Sequence, residues 1–216
     1  AAGGSLTLAD GGRLESSASG NAVILAAGDV FVKESDAEDA LSVTHGRWLI
    51  FSKTPVGGDR GGLAHSFRYY GVALEDDWST LPGEGNGFVY AITPQITVEL
   101  QGSVAKVYDS TDRADLADEH IVVIGAMPGD TVILVGAPAQ GMFDNGNAGR
   151  DKRVTADLSS VTLQVGDSEG ADVEIFGYSL SGTKAEGEIG VITARRVVLD
   201  GLGVAGRVVA RGRLEL

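Results

Sequence analysis

The sequence predicts an all-β protein, a short parallel β-helix-like N-terminal part followed by an immunoglobulin-like β-sandwich module. Three observations predict it. Apolar and polar residues alternate in short runs, as in Leu6-Thr7-Leu8 and through Ile96, Val98 and Leu100, so every second side chain falls on one face. Clusters of Gly, Ser, Asn and Asp separate these runs, and 32 Gly stand against 5 Pro with no collagen-like period. Finally, Ile92-Thr93, Val98 and Val104-Ala105 return as Ile192-Thr193, Val198 and Val204-Ala205, a fixed offset of 100 positions. Such an offset suggests a repeated module of domain size.

Taken in order, residues 1–51 read as rungs. Short strands at 6–9, 22–26, 30–33, 41–43 and 48–51 are separated by small and polar residues that let strands stack at corners, with a rung length near 20 residues. An antiparallel sheet of the same strands is the competing arrangement. Residues 52–91 read as an aromatic-rich cap or connector, because Phe67, Tyr69, Tyr70, Trp78, Phe88 and Tyr90 crowd 24 positions. A solenoid end needs such a cover for its apolar cross-section and unpaired edges. Residues 92–201 carry strands expected at 96–101, 120–125, 131–135, 154–156, 161–165, 172–178 and 191–199. About seven short strands in about 100 residues suit an immunoglobulin-like sandwich. Residues 202–216 restart an opening strand.

Composition excludes several classes. The chain of 216 residues has 17 Lys+Arg against 30 Asp+Glu, a formal net charge of −13, which disfavours nucleic acid and anionic membranes as partners. Its longest uncharged apolar runs are far shorter than a membrane span, so no membrane insertion is expected. There is no Cys, hence no disulfide scaffold or thiol chemistry, and the opening AAGGSL has no signal-peptide pattern.

The run GRWLIFSKTP at 46–55, then Gly61-Gly62-Leu63, Phe67, Tyr70-Gly71 and the GNGFVY run at 85–90, resembles a segment of filamentous-haemagglutinin-like adhesins exported by two-partner secretion in Gram-negative bacteria. Lys106-Val107-Tyr108-Asp109-Ser110-Thr111 resembles the K-x-Y-D-G-T signature of the YDG-type modules in those adhesins, with Ser110 where the family usually has Gly. The GMFDNGNAG run at 141–149, Lys152-Arg153-Val154, Phe176-Gly177-Tyr178 and the closing GEIGVIT at 187–193 follow in the same order. The resemblance implies a rod of stacked rungs leading into modules, on the outer surface of a Gram-negative cell or secreted from it, with adhesion and biofilm as its setting.

Candidate residues follow from these segments. Asp109 and Thr111, at a strand exit, suit a side-chain-fixed turn; with Lys106 and Tyr108 they form a structural motif, Tyr108 burying its ring with its hydroxyl at the rim. Tyr69, Tyr70 and Trp78 are either packing residues of the cap or a platform for a polysaccharide. Asp144, Asn145 and Asn147 superficially match a calcium loop but lack the distal bidentate Glu of an EF-hand, and a tight turn explains them equally. The Gly-rich loop at 57–62 has no phosphate-cradle lysine and reads as a flexible loop. The three histidines (His45, His65, His120) share no metal-ligand spacing, and no nucleophile elbow is present, so no catalytic residue, metal or cofactor is expected. At the C-terminus, Val204, Val208, Val209 and Leu214 alternate with or flank Arg207, Arg211 and Arg213. That basic strand would either fold at home or pair with another subunit of this acidic chain. The sequence therefore predicts a non-catalytic extracellular structural or adhesive protein. Its expected partners are copies of itself or neighbouring modules of a longer chain, with polysaccharide as a further one. The alternatives are a self-assembling filament subunit and a glycan-binding module.

Overall fold

The computed structural model describes residues 3–34, 38–168, 170 and 172–196. Among these the chain is all-β, with three short 3-10 turns and no α-helix. Its strands are β1 (Leu6–Leu8), β2 (Leu14–Ala26), β3 (Phe31–Lys33), β4 (Leu41–Ser52), β5 (Phe67–Tyr70), β6 (Gly87–Tyr90), β7 (Gln95–Leu100), β8 (Val104–Val107) and β9 (Arg113–Asp115). They continue as β10 (Ile121–Ile124), β11 (Asp130–Val135), β12 (Gln140–Phe143), β13 (Gly149–Asp157), β14 (Thr162–Asp167), β15 (Glu174–Phe176), β16 (Ser179–Leu180) and β17 (Lys184–Thr193).

The chain forms two compact units, neither continuous in sequence. One holds residues 1–97, 123–136 and 161–182; the other holds 98–122, 137–160 and the chain from Thr183 on. The expected division at residue 92 is therefore not the one that compactness draws, because two segments of the expected module join the first unit.

In the first unit, β2, β4, β6, β5 and β15 make a five-stranded sheet in that order, every pair parallel. Next to it in sequence β1 runs parallel to β3, and Val32 bridges Asp59 in parallel. The antiparallel alternative is thus not the one adopted. Within residues 1–51 the rung is longer than the expected 20 residues: Leu14 lies opposite Leu41 and Ala26 opposite Phe51, offsets of 27 and 25. Beyond them Leu49 lies opposite Gly87, an offset of 38, and an offset of 20 occurs between β5 and β6, where Phe67 lies opposite Gly87. The expected strands at 41–43 and 48–51 are one strand, β4, because the ladder to β2 continues through His45-Gly46 opposite Ser19-Gly20, with a register shift on either side. Gly46 is required there, since a β-carbon on it would overlap the carbonyl oxygens of Gly20 and Ala18.

Burial explains why the end of β4, from Trp48, and β6 are near-continuous apolar runs. Successive side chains point to opposite faces of a strand, and here both faces are covered. Trp48 and Ile50 join Phe31, Leu41, Leu63, Tyr70, Phe88 and Tyr90 in one cluster, while Leu49 and Phe51 join Phe67, Val72, Leu81 and Val89 in another. Each such side chain contributes about 1.5–3 kcal/mol on burial. Residues 52–91, expected as a cap, supply two strands of this sheet and most of its aromatics. Phe88 sits 5.2 Å from Trp48 and 6.1 Å from Phe31 between ring centroids.

The second unit contains a mixed five-stranded sheet in the order β8-β17-β13-β12-β9. The neighbours β8 and β17 are parallel, and the other pairs are antiparallel. Val104, Ala114, Phe143, Val154, Ala156, Ala185 and Ile192 are its buried apolar residues, and Lys152 of β13 is buried among them. Of the 100-residue repeat only the first pair lies in the described residues, and its members differ: Ile92 lies between β6 and β7, whereas Ile192 lies within β17 opposite Lys106; Val198 and Val204-Ala205 lie outside the described residues. The smaller sheets are β10-β7-β16 and the antiparallel pair β11-β14.

Candidate functional site

The Tyr-Asp-Ser-Thr turn follows β8. Asp109 Oδ1 accepts hydrogen bonds from Lys106 Nζ at 2.9 Å, Thr111 N at 2.9 Å and Thr111 Oγ1 at 2.8 Å. Lys106 Nζ also donates to Thr111 O and Oγ1, both at 2.8 Å, and stands 5.4 Å above the centre of the Phe143 ring. The hydrogen bonds from Lys106 first, then those from Thr111, hold the Asp109 carboxyl well below its ordinary pKa, at about 2. Ser110, at the tip, has φ 67°. That left-handed conformation suits Gly and strains a residue with a β-carbon, the physical reason for a Gly in the signature. Tyr108 departs from expectation. It is exposed, because its backbone N–H pairs with Thr193 O at 2.8 Å in a position that turns the ring outward.

The loop with Asp144, Asn145 and Asn147 joins β12 to β13. Its oxygens face the ammonium of Lys152, a buried side chain, at 2.7 Å from Asp144 Oδ1 and 2.8 Å from Asn145 Oδ1. Asn145 Oδ1 also accepts from Asn147 N at 3.0 Å. The protein's own cation thus stands where a calcium ion would, and among the described residues no cluster of three or more His, Asp or Glu is placed to hold a metal. Hydrogen bonding to Lys152 lowers the pKa of Asp144.

The aromatic candidates are not one surface. Tyr70 is buried in the core, with its ring 5.1 Å from that of Tyr90. Tyr69 stacks on Phe176 at 5.4 Å, and Trp78 packs on Phe51 at 4.8 Å while its Nε1 donates to Leu74 O. Packing accounts for all three. Val204, Val208, Val209 and Leu214 lie outside the described residues.

Sequence reasoning missed the densest polar cluster, which is in the first unit. Arg68, fully buried on β5, donates from Nη2 to Asp167 Oδ2 at 2.7 Å and to Gly129 O at 3.1 Å. Asp130 Oδ1 is 3.0 Å from the same nitrogen, at an angle that makes an ion contact rather than a hydrogen bond. Asp130 Oδ2 accepts from the hydroxyls of Tyr70 at 2.6 Å and Tyr178 at 2.7 Å, and Tyr178 in turn accepts from Met127 N at 2.8 Å. Burial, then Asp130, pushes both tyrosine hydroxyls far above their ordinary pKa, so they are fixed donors. The five side chains come from four segments, β5, β11, β14 and the turn before β16, far apart in sequence. No spacing rule links them; the only local signal is a charge inside the apolar run Phe67-Arg68-Tyr69-Tyr70. The loop at 57–62 also departs from expectation, because it is tied down rather than loose. Gly61 O accepts from the buried Lys33 Nζ at 2.6 Å, and Gly61 N donates to Asp59 Oδ1 at 2.8 Å.

Residues 93–185 match the model of the YDG domain. The chain therefore contains a YDG-type module, under half of its length. No curated protein and no solved structure matches the chain.

Proposed function

We propose that this chain is a non-catalytic structural and adhesive part of an extracellular bacterial adhesin or stalk, on or secreted from the outer surface of a Gram-negative cell. The parallel stack carries the reading. Five parallel strands end on β2, a 13-residue strand that among the described residues is the edge of the sheet, where a further strand could pair. A parallel stack of this kind extends by adding rungs, as a stalk does, and the exposed Leu14 and Ile24 on β2 suit a neighbouring rung. We read the stack as β-helix rungs and the mixed sheet with its YDG match as an immunoglobulin-like sandwich module. The many ladders and buried networks would resist tension, so the chain's work is to hold a binding surface away from the cell. Antibody raised against the purified chain should label intact, unpermeabilised source cells or their medium. Labelling that appears only after permeabilisation would refute the reading.

A second reading is a filament subunit, in which the basic C-terminal stretch of one copy adds to the β2 edge of the next. The open β2 edge favours it. Light scattering of the full chain and of a variant lacking residues 203–216 decides: loss of high-mass species in the deletion supports it, and identical mass overturns it.

A further inference from the structure

The first unit holds a pocket of about 420 Å³ between the 57–62 loop and the segments around Gly129 and Ser168. This is within the size range of small-ligand sites. Its wall contains Arg60, Asp59, Ser168 and Asp167, with Pro55, Leu63 and Val173 supplying apolar surface. The charges in it are not evenly matched. Asp167 is paired with Arg68. Arg60, half-buried, lies beside Tyr90 and forms no ion pair among the described residues; burial opposes its charge, while Tyr90, Tyr70 and Asp130 together favour it. Burial holds Tyr90 above its ordinary pKa, so at neutral pH Tyr90 itself gives Arg60 no countercharge. Gly129 marks where two cations converge: a β-carbon there would collide with Arg60 Nη2 and come to 3.4 Å from Arg68 Nη1. Arg68 Nη1 and Nε are buried without a hydrogen-bond partner. His65 adds no further cation. Burial first, then Arg68 and Arg60, lowers its pKa, and its Nδ1 lies 2.9 Å from Leu63 O.

A guanidinium that lines a pocket and forms no ion pair can take a carboxylate ligand in bidentate geometry. Beside it stand a carboxylate, Asp59, and a hydroxyl, Ser168, which suit neutral hydroxyl groups and repel a second negative charge. One anionic group surrounded by hydroxyls, with C–H faces for Leu63 and Val173, describes a sugar acid. We propose that this pocket binds a hexuronate residue of an acidic polysaccharide, Arg60 pairing with its carboxylate and Asp59 and Ser168 bonding its hydroxyls. The site is separate from the aromatic segment and stands whether or not the stalk reading holds.

Calorimetric titration of the full chain with a tetragalacturonate, and with the same oligomer methyl-esterified, tests this. The acid form should bind, the ester at least tenfold more weakly, and added salt should weaken the acid form. Arg60→Met should lose at least tenfold in affinity, and Ser168→Ala, on the exposed rim, several-fold, with tryptophan emission unchanged. If Arg60→Met does not fold, Ser168→Ala and the ester comparison carry the test. Equal binding of acid and ester, an unaffected Ser168→Ala, no binding at all, or equal competition by a peptide ending in a free carboxylate would each overturn the proposal. Surface labelling of cells does not depend on this result, so the two readings fail separately.

Discussion

Replacing Asp130 by Ala removes the acceptor at the centre of the Arg68 cluster. Two hydroxyls, at 2.6 and 2.7 Å, lose their only carboxylate partner, and the fully buried Arg68 keeps one counterion, Asp167, where it had two. Leaving a buried donor unsatisfied costs about 1–3 kcal/mol each, and breaking a buried ion pair from one side about 3–5 kcal/mol. Because the groups form one network these losses overlap and do not add. We expect a destabilisation of about 4 kcal/mol for Asp130→Ala. Asp130→Asn retains an oxygen for the hydroxyls and removes the charge, so it should cost about 2 kcal/mol, and Tyr70→Phe about 1 kcal/mol, one buried hydrogen bond. Urea titration followed by tryptophan emission is the assay, since Trp48 lies in the core of the same unit. Asp130→Ala costing under about 1 kcal/mol, or Asp130→Asn costing as much as Asp130→Ala, would refute the claim that a charged, doubly accepting carboxylate holds this unit together.

Other consequences are as direct. Ser110→Gly should raise stability by about 1 kcal/mol, because Ser110 bears the left-handed strain that Gly avoids; thermal melting checks it, and a lowered melting temperature contradicts it. Gly87→Ala should destabilise by about 2 kcal/mol or more in the same urea assay, since the new β-carbon would fall within the Phe67 ring. Asp109, with its folded pKa below its unfolded one, contributes stability that is complete above its ordinary value of 3.8 and is lost as pH falls through about 2. Carboxyl titration by NMR should show its midpoint near 2 in the wild type and a rise towards the ordinary value in Lys106→Met. Lys152→Met should loosen the 144–147 loop, measured as faster amide exchange at Asn147, because Asp144 and Asn145 lose their shared donor.

The legible part of this chain was local. Alternation placed β7 and β11 to within a residue or two, since a half-buried strand must write its two faces into successive residues. The Lys106, Asp109 and Thr111 turn was legible for the same reason: its partners lie within five residues. β2 was legible only in its last third, because its earlier residues, Leu14 to Gly20, lie on an exposed edge strand and need no apolar pattern. Segments 123–136 and 161–182 gave no sign of joining the unit of residues 1–97, and the 20-residue rung expected within residues 1–51 is lengthened by the β2–β4 ladder, the 20-residue offset appearing instead between β5 and β6.

By itself, then, the sequence determined that the protein is built of short strands, that it carries a YDG-type module, and where that module's turn is pinned. Tertiary structure alone decided that the five strands of the first unit's large sheet run parallel, that Arg68 meets Asp130 and Asp167, and that Arg60 lines a pocket with no ion pair among the described residues. The reason is range. Periodicity and turn chemistry act over a few residues, whereas the Arg68–Asp167 pair closes a loop of 99 residues and exists only once the backbone has folded.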